Sequence, residues 1–197
     1  MKKSDQTKAK ILSAALDEFA AKGFAGTRVD QIAQAAGVNK AMIYYFFTGK
    51  EELLKELFQS EMEQLKTELG ALMAQRDVHS REEISQAVRA LLAYASSKKK
   101  LLQVLIAGAI QDETIQPYLF RLLDFSSAAG IEFAQPTTRI SPESTREEVL
   151  HELFTGLLPL IYFVLLRDGL SAYYAWDEET LTQHFIARFL QQHAGYE

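Results

Sequence analysis

Between positions 40 and 45 the sequence reads Lys-Ala-Met-Ile-Tyr-Tyr. A cation, two small or apolar side chains and two phenols in so short a run suit the surface of double-stranded DNA. A lysine can donate to a guanine edge, Ala41 and Met42 can lie against a thymine methyl, and the hydroxyls of Tyr44 and Tyr45 can reach phosphate oxygens. Just downstream, Thr48-Gly49-Lys50-Glu51 has the form of a capping box opening a helix. Its unpaired amides and the Lys50 ammonium form a potential phosphate grip. Just upstream, Thr27 and Arg28 stand at the start of another helix. We expect Lys40, Met42 and Tyr45 to face bases or groove edges. Thr27, Arg28, Tyr44 and Lys50 are expected to hold phosphates, with Asn39 and Ala41 beside them.

Such residues read DNA only if local structure presents them together. Residues 27–36 form a short helix with Val29, Ile32, Ala33 and Ala36 on one face. Thr27 is its expected cap, with Asp30 as acidic partner. Gly37 supplies the left-handed residue that ends it. Asn39 caps the next helix, in which Ile43 and Phe47 share the inward face. Alanines 33 and 36 permit close approach across the turn. The pattern is a helix-turn-helix, whose second helix enters the major groove. Without the groove chemistry, it reads as two packed helices with an aromatic cluster.

This stretch resembles the TetR family of bacterial transcriptional regulators. The resemblance rests on Gly37-Val38-Asn39-Lys40, Ile43-Tyr44-Tyr45-Phe46-Phe47 and Lys50-Glu51-Glu52-Leu53-Leu54. It implies an all-α protein with an N-terminal helix-turn-helix head and a C-terminal helical domain for ligand binding and dimerisation. It further implies a homodimeric repressor, released from an operator by a small molecule. Phe46 stands where the family often has histidine or a polar aromatic residue. Ala41 replaces a frequent glycine and Met42 a frequent threonine or serine, so the base preference does not carry over.

The charge is unevenly spread. Residues 1–50 carry eight basic and four acidic side chains, a net of +4, whereas the whole chain carries −5. The remainder is therefore −9, an acidic body that DNA would repel behind a head it would attract. There is no cysteine, which excludes disulfides, thiol catalysis and zinc-finger ligation. The N-terminus, Met1 to Gln6, lacks the apolar segment of a signal peptide. The longest charge-free apolar run, Leu153 to Leu166, is 14 residues and contains Pro159. A membrane span takes about 20. We therefore expect a buried helix, no membrane partner and a cytoplasmic protein.

The remaining elements follow from periodicity and punctuation. Residues 5–22 form a first helix with Ile11, Leu12, Ala15, Leu16 and Phe19 on one stripe, ended by Gly23. A helix of roughly 26 residues runs from Lys50 to about Gln75 and spans about 39 Å, a mechanical link from the DNA surface into the second domain. The domains are placed at 1–49 and 50–197. Ser80-Arg81-Glu82-Glu83 is a further capping box; Ser96 to Lys100 makes a solvated helix end. Leu101 to Ile110 reads as a central helix, and Asp112 or Thr114 starts the next. Residues 134–142 form a loop, with Ser141 and Pro142 opening a helix to about 168 that kinks at Pro159. An aromatic connector, Ser171 to Trp176, precedes the last helix.

In the family the last two helices form a four-helix dimer interface. That assigns Leu157, Leu160, Ile161, Val164, Leu165, Phe185 and Phe189 to subunit contact. A symmetric dimer would place two recognition helices about 34 Å or more apart and demand a palindromic operator. Candidate effector contacts are Tyr94, Gln103, Phe120, Asp124, Phe125, Phe154, Tyr162 and Trp176, suiting an apolar or aromatic ligand. Glu148-x-x-His151 is half of a di-iron motif without a second copy, so no metal or cofactor is expected. No nucleophile elbow or phosphate-binding glycine loop marks an enzyme. The competing class is an all-helical small-molecule binder or enzyme whose head docks protein only.

Overall fold

The computed structural model describes residues 3–74, 81–134 and 146–193. Among them every regular element is helical. The order is α1 (Lys3–Lys22), α2 (Val29–Ala36), α3 (Lys40–Phe46), α4 (Lys50–Ala74), α5 (Arg81–Ser97), α6 (Lys99–Gln111), α7 (Gln116–Ala134), α8 (Arg146–His151), a π-helical turn (Glu152–Leu157), α9 (Leu158–Tyr174) and α10 (Glu178–His193). The chain divides into two compact units. One is Met1–Thr67 with Gln103–Leu119; the other is Glu68–Leu102 with Phe120–Glu197.

In the first unit α1 packs on α2 and α2 on α3. Ile11, Ala15 and Phe19 of α1, Ile32, Ala33 and Ala36 of α2, and Ile43 and Phe47 of the α3 segment are buried, as are Leu53, Leu54, Leu57, Phe58 and Leu65 of α4. Each large side chain so buried contributes about 1.5–3 kcal/mol over leaving it in water. Gly23 (φ 74°) and Gly37 (φ 63°) end α1 and α2 in the left-handed region, where a Cβ would be strained. Gly37 N–H donates to the Gln34 carbonyl and Val38 N–H to that of Ala33, satisfying the end of α2. Later in this unit, Asp112 accepts from the Thr114 amide and hydroxyl in an Asx turn instead of starting a helix. The next helix begins at Gln116, with Pro117 in its first turn.

In the second unit α5 packs on α9 and α10, and α9 packs on α10. Val88, Leu92, Leu160, Ile161, Phe163, Val164, Ile186 and Leu190 are buried there. Phe163 stacks on Phe185 with ring centroids 4.1 Å apart. Ion pairs join the surface: Arg89 to Glu179 at 3.0 Å and Lys99 to Asp168 at 2.7 Å. Lys99, expected at a solvated helix end, instead ties the start of α6 to α9.

Three boundaries differ from the sequence expectation. Where a kink at Pro159 is expected, a π-helical turn, Glu152–Leu157, precedes the proline. Proline lacks an amide hydrogen and its ring crowds the carbonyl four residues back. The chain widens just before it, with Leu158 N–H reaching the Leu153 carbonyl. Second, α9 runs on through Ser171 to Tyr174, and the connector begins only at Ala175 (φ 52°). Third, the stretch Leu153–Tyr174 is 22 residues at mean hydropathy 1.6, long and apolar enough by length and composition to cross a membrane. Strict counting of charge-free residues missed this, because Arg167 and Asp168 interrupt the run; Asp168 is tied to Lys99 within the unit. The caps expected at Ser80 and at Ser141–Pro142 lie outside the described residues, as does residues 135–142 of the predicted loop.

Candidate nucleic-acid interface

Asn39 sits in extended conformation (φ −80°, ψ 157°) and its Oδ1 accepts from Met42 N–H at 2.7 Å. This cap starts α3 at Lys40. Ile43 is fully buried and Phe47 is 2% exposed. With those two residues turned inward, helical geometry turns Lys40, Ala41, Tyr44 and Tyr45 outward, with Met42 at the edge. Tyr44 is 52% exposed and Tyr45 78%. Exposed phenols on a short, well-anchored helix suit a surface that a partner covers. Tyr45 is steadied by an edge contact with Phe46, ring centroids 4.9 Å apart.

Lys40 Nζ lies 2.9 Å from Asp30 Oδ1, across the turn from α2 to α3. The hydrogen bond that Lys40 donates to Asp30, and the Asp30 charge, hold the Lys40 ammonium's pKa above the usual lysine value. The same ammonium is 6.0 Å from the centroid of the Tyr44 ring. Both charged side chains remain at least half exposed, so the pair is worth only about 0–1 kcal/mol.

Two expected phosphate ligands are otherwise engaged. Thr27 is 2% exposed. Its hydroxyl lies 2.8 Å from the Gly23 carbonyl and 3.1 Å from that of Glu18, closing the α1–α2 turn. Thr27 therefore neither caps α2 nor presents an oxygen to solvent. The capping position falls to Arg28 (φ −113°), whose amide donates to Gln31 Oε1 at 2.9 Å. Lys50 points inward as well. Its ammonium donates to the carbonyls of Phe24 (2.9 Å), Ala25 (3.4 Å) and Thr27 (3.5 Å). It also lies 4.5 Å from the Phe24 ring centroid. Three donors on three carbonyls fill the group's capacity. Lys50 is thus a clasp on the α1–α2 turn.

The expected capping box at α4 shifts by one residue. Glu52, rather than Glu51, reaches back to the Thr48 amide. Hydrogen bonds from the Thr48 backbone and side chain hold the Glu52 carboxyl below its usual range. The Thr48 amide is therefore not free. Arg28 stays exposed at the α2 start.

The other predicted sites scatter. Among the effector candidates, Tyr94 and Phe125 are half-buried, whereas Gln103, Phe120, Asp124, Phe154, Tyr162 and Trp176 are exposed. Trp176 stacks on Tyr174 at 4.4 Å. The side chains of Phe133 and Glu148 lie outside the described residues. Among the dimer candidates, Leu160, Ile161 and Val164 are at most 3% exposed and face the interior of their own unit. Leu157, Leu165, Phe185 and Phe189 are half-buried. The outward stripe of α9 is instead Leu158, Tyr162, Leu165, Leu166 and Tyr173, spaced by one helical turn or its multiples.

Comparison with known proteins places this geometry. The profile of "Bacterial regulatory proteins, tetR family" matches residues 11–57, from α1 into α4. The uncharacterized HTH-type transcriptional regulator YhgD of Bacillus subtilis is 30% identical over 176 residues, 87% of this chain and 88% of that protein.

The chain belongs to the TetR family of bacterial regulatory proteins.

The probable HTH-type transcriptional regulator YttP of Bacillus subtilis is 30% identical to this TetR-family chain over 132 residues, covering 59% of the chain and 62% of that protein. For other curated relatives the match covers only 20–30% of their length. That is less than two thirds of those proteins. Among solved structures, FadR from Bacillus subtilis in complex with stearoyl-CoA superposes with a TM-score of 0.63 at 19% identity, covering 96% of this chain and 99% of that one. An all-α TetR-family fold with a helix-turn-helix is thereby shown. Reading the sequence for DNA ligands missed Asp30 as the partner of Lys40 and Glu52 as the α4 cap. Asp30 was legible as an acidic residue in the first turn of α2, but its partner lies ten positions on, beyond the turn.

Proposed function

We propose that this chain is a homodimeric repressor that grips a palindromic operator with α3 and lets go when an apolar effector binds. The observation that carries the DNA part is the outward face of α3: Lys40, Ala41, Met42, Tyr44 and Tyr45 exposed over the buried Ile43 and Phe47. Lys40, Met42 and Tyr45 face base or groove edges, Tyr44 and Arg28 take phosphates, and Asn39 sets the helix start. Thr27 and Lys50 shape the turn behind them. The head is residues 1–49, and residues 50–197 carry effector binding and dimerisation. A DNA regulator works where the chromosome is, in the cytoplasm.

The outward α9 stripe supports the dimer. A 46% exposed Tyr162 beside a 53% exposed Leu166 is apolar surface that a second copy would cover isologously. Leu165 belongs to that stripe, and the half-buried Leu157, Phe185 and Phe189 complete the proposed contact. For the effector, the acyl-CoA complex of the structurally similar FadR favours a long apolar chain, with Tyr94 and Phe125 as its remaining aromatic contacts. Such a ligand lowers operator affinity by its preference for a conformation with misplaced heads, and by no more.

The test is binding of the purified protein to DNA fragments flanking its own gene at two salt concentrations, with Tyr44→Ala as control. Tight binding that weakens steeply with salt and is lost in the variant is expected, because phosphate contacts release counterions. A folded dimer that binds none of these fragments, at either salt, would sink the reading for that site.

A further inference from the structure

Lys40 is the first residue of α3, the end of the helix dipole that repels a cation. Left alone, its ammonium would swing away from the helix start on a flexible four-carbon stem. It does not. It is held between the Asp30 carboxylate at 2.9 Å and the face of the Tyr44 ring at 6.0 Å. Asp30 itself lies in the first turn of α2, where the dipole favours an anion. The pair therefore suits the start of α2 and offsets the cation at the start of α3, and it bridges the two helices of the DNA-binding motif.

We propose that Asp30 is a specificity-determining residue: it holds the Lys40 ammonium at the base-reading end of α3 and denies it to phosphates. This rests on the DNA-binding reading above. An ammonium carries three donors. One serves Asp30 and the others remain available to guanine O6 and N7, so a base contact is compatible with the pair. A phosphate contact is not, because the two anions compete for one cation and the carboxylate repels the phosphate. On random DNA, where phosphate contacts supply nearly all the affinity, the pair withholds one contact. On the operator it withholds none. Asp30 thus widens the gap between operator and random binding.

The experiment uses the full chain with Asp30→Asn, Lys40→Ala, the double variant, and Glu51→Gln as a control for removing a nearby exposed charge. Affinities for an operator duplex and a random duplex are measured from 50 to 200 mM salt. Asp30→Asn is expected to tighten random binding and steepen its log–log salt slope by about 0.9, one added phosphate contact. The operator slope stays as in wild type, so the fall in the operator-to-random ratio is about threefold larger at 50 mM than at 200 mM salt. In the Lys40→Ala background, Asp30→Asn should change neither slope. Three results overturn the inference: an unchanged random slope, an equal shift on both duplexes, or the same effect from Glu51→Gln or without Lys40. If wild-type protein shows no salt-dependent DNA binding at all, the DNA reading itself falls. That outcome is visible before any variant is made. Melting curves of each variant confirm that folded protein is compared.

Discussion

Lys50 shows how one residue changes meaning once its surroundings are known. Next to a helix start in a basic head, an ammonium reads as a phosphate ligand. In the structure its three donors meet three carbonyls of the turn between α1 and α2, and the Phe24 ring lies against it. Thr27 closes the same turn from the other side. Lys50→Met keeps the stem and removes the donors, leaving carbonyls short of a partner. We expect it to destabilise the protein by about 1–2 kcal/mol in denaturant unfolding while leaving the salt slope of DNA binding unchanged. A slope that falls by about one contact, with stability intact, would return Lys50 to the phosphate ligands. Asn39, by contrast, was readable at once. Its partner is three residues away, and the cap depends on local backbone alone.

At the scale of elements, two of the helix starts are set by carboxylates. Glu52 reaches back to Thr48 at α4, and Asp177 accepts from Thr180 N–H at 2.8 Å at α10. Hydrogen bonds from Thr48 and Thr180 respectively hold both carboxyls below their usual values. A carboxyl whose pKa is lower folded than unfolded stabilises the fold above its unfolded pKa. That contribution is lost as pH falls through the folded value. Stability should therefore decline on acidification through and below the ordinary carboxylate range. Glu52→Gln, which keeps an acceptor without the charge, should make the decline shallower, as measured by thermal melting between neutral pH and pH about 3. An identical pH profile would show that the Glu52 carboxylate does not matter to folding. The π-helical turn before Pro159 belongs to this scale too. A kink was foreseeable from proline, but its form depends on how the freed carbonyls are re-paired.

For the whole molecule the question is which apolar surface stays outside. Leu166 is 53% exposed and stands in the outward stripe of α9. Leu166→Arg places a charge in the proposed subunit contact without touching the buried side of the helix. The expected result is a monomer by analytical ultracentrifugation, with an unchanged helical spectrum and weaker binding to a two-half-site operator. A variant that remains dimeric would move the interface elsewhere.

The sequence alone determined most elements and the outward face of α3, because their signals are local. Glycines at 37 and 23 need the left-handed region, Asn39 caps within one turn, and Ile43 and Phe47 repeat with the helix. These interactions span at most a few residues, so pattern is sufficient. Only tertiary structure decided what the charged and apolar side chains do. Thr27 meets a carbonyl nine residues back, Lys50 meets carbonyls 23 to 26 residues back, and Lys40 meets Asp30 across a turn. In α9 nearly every position is apolar, so periodicity cannot tell Leu160, Ile161 and Val164, which pack inward, from Tyr162 and Leu166, which face out. Burial is a property of what lies opposite, and the linear chain does not record it.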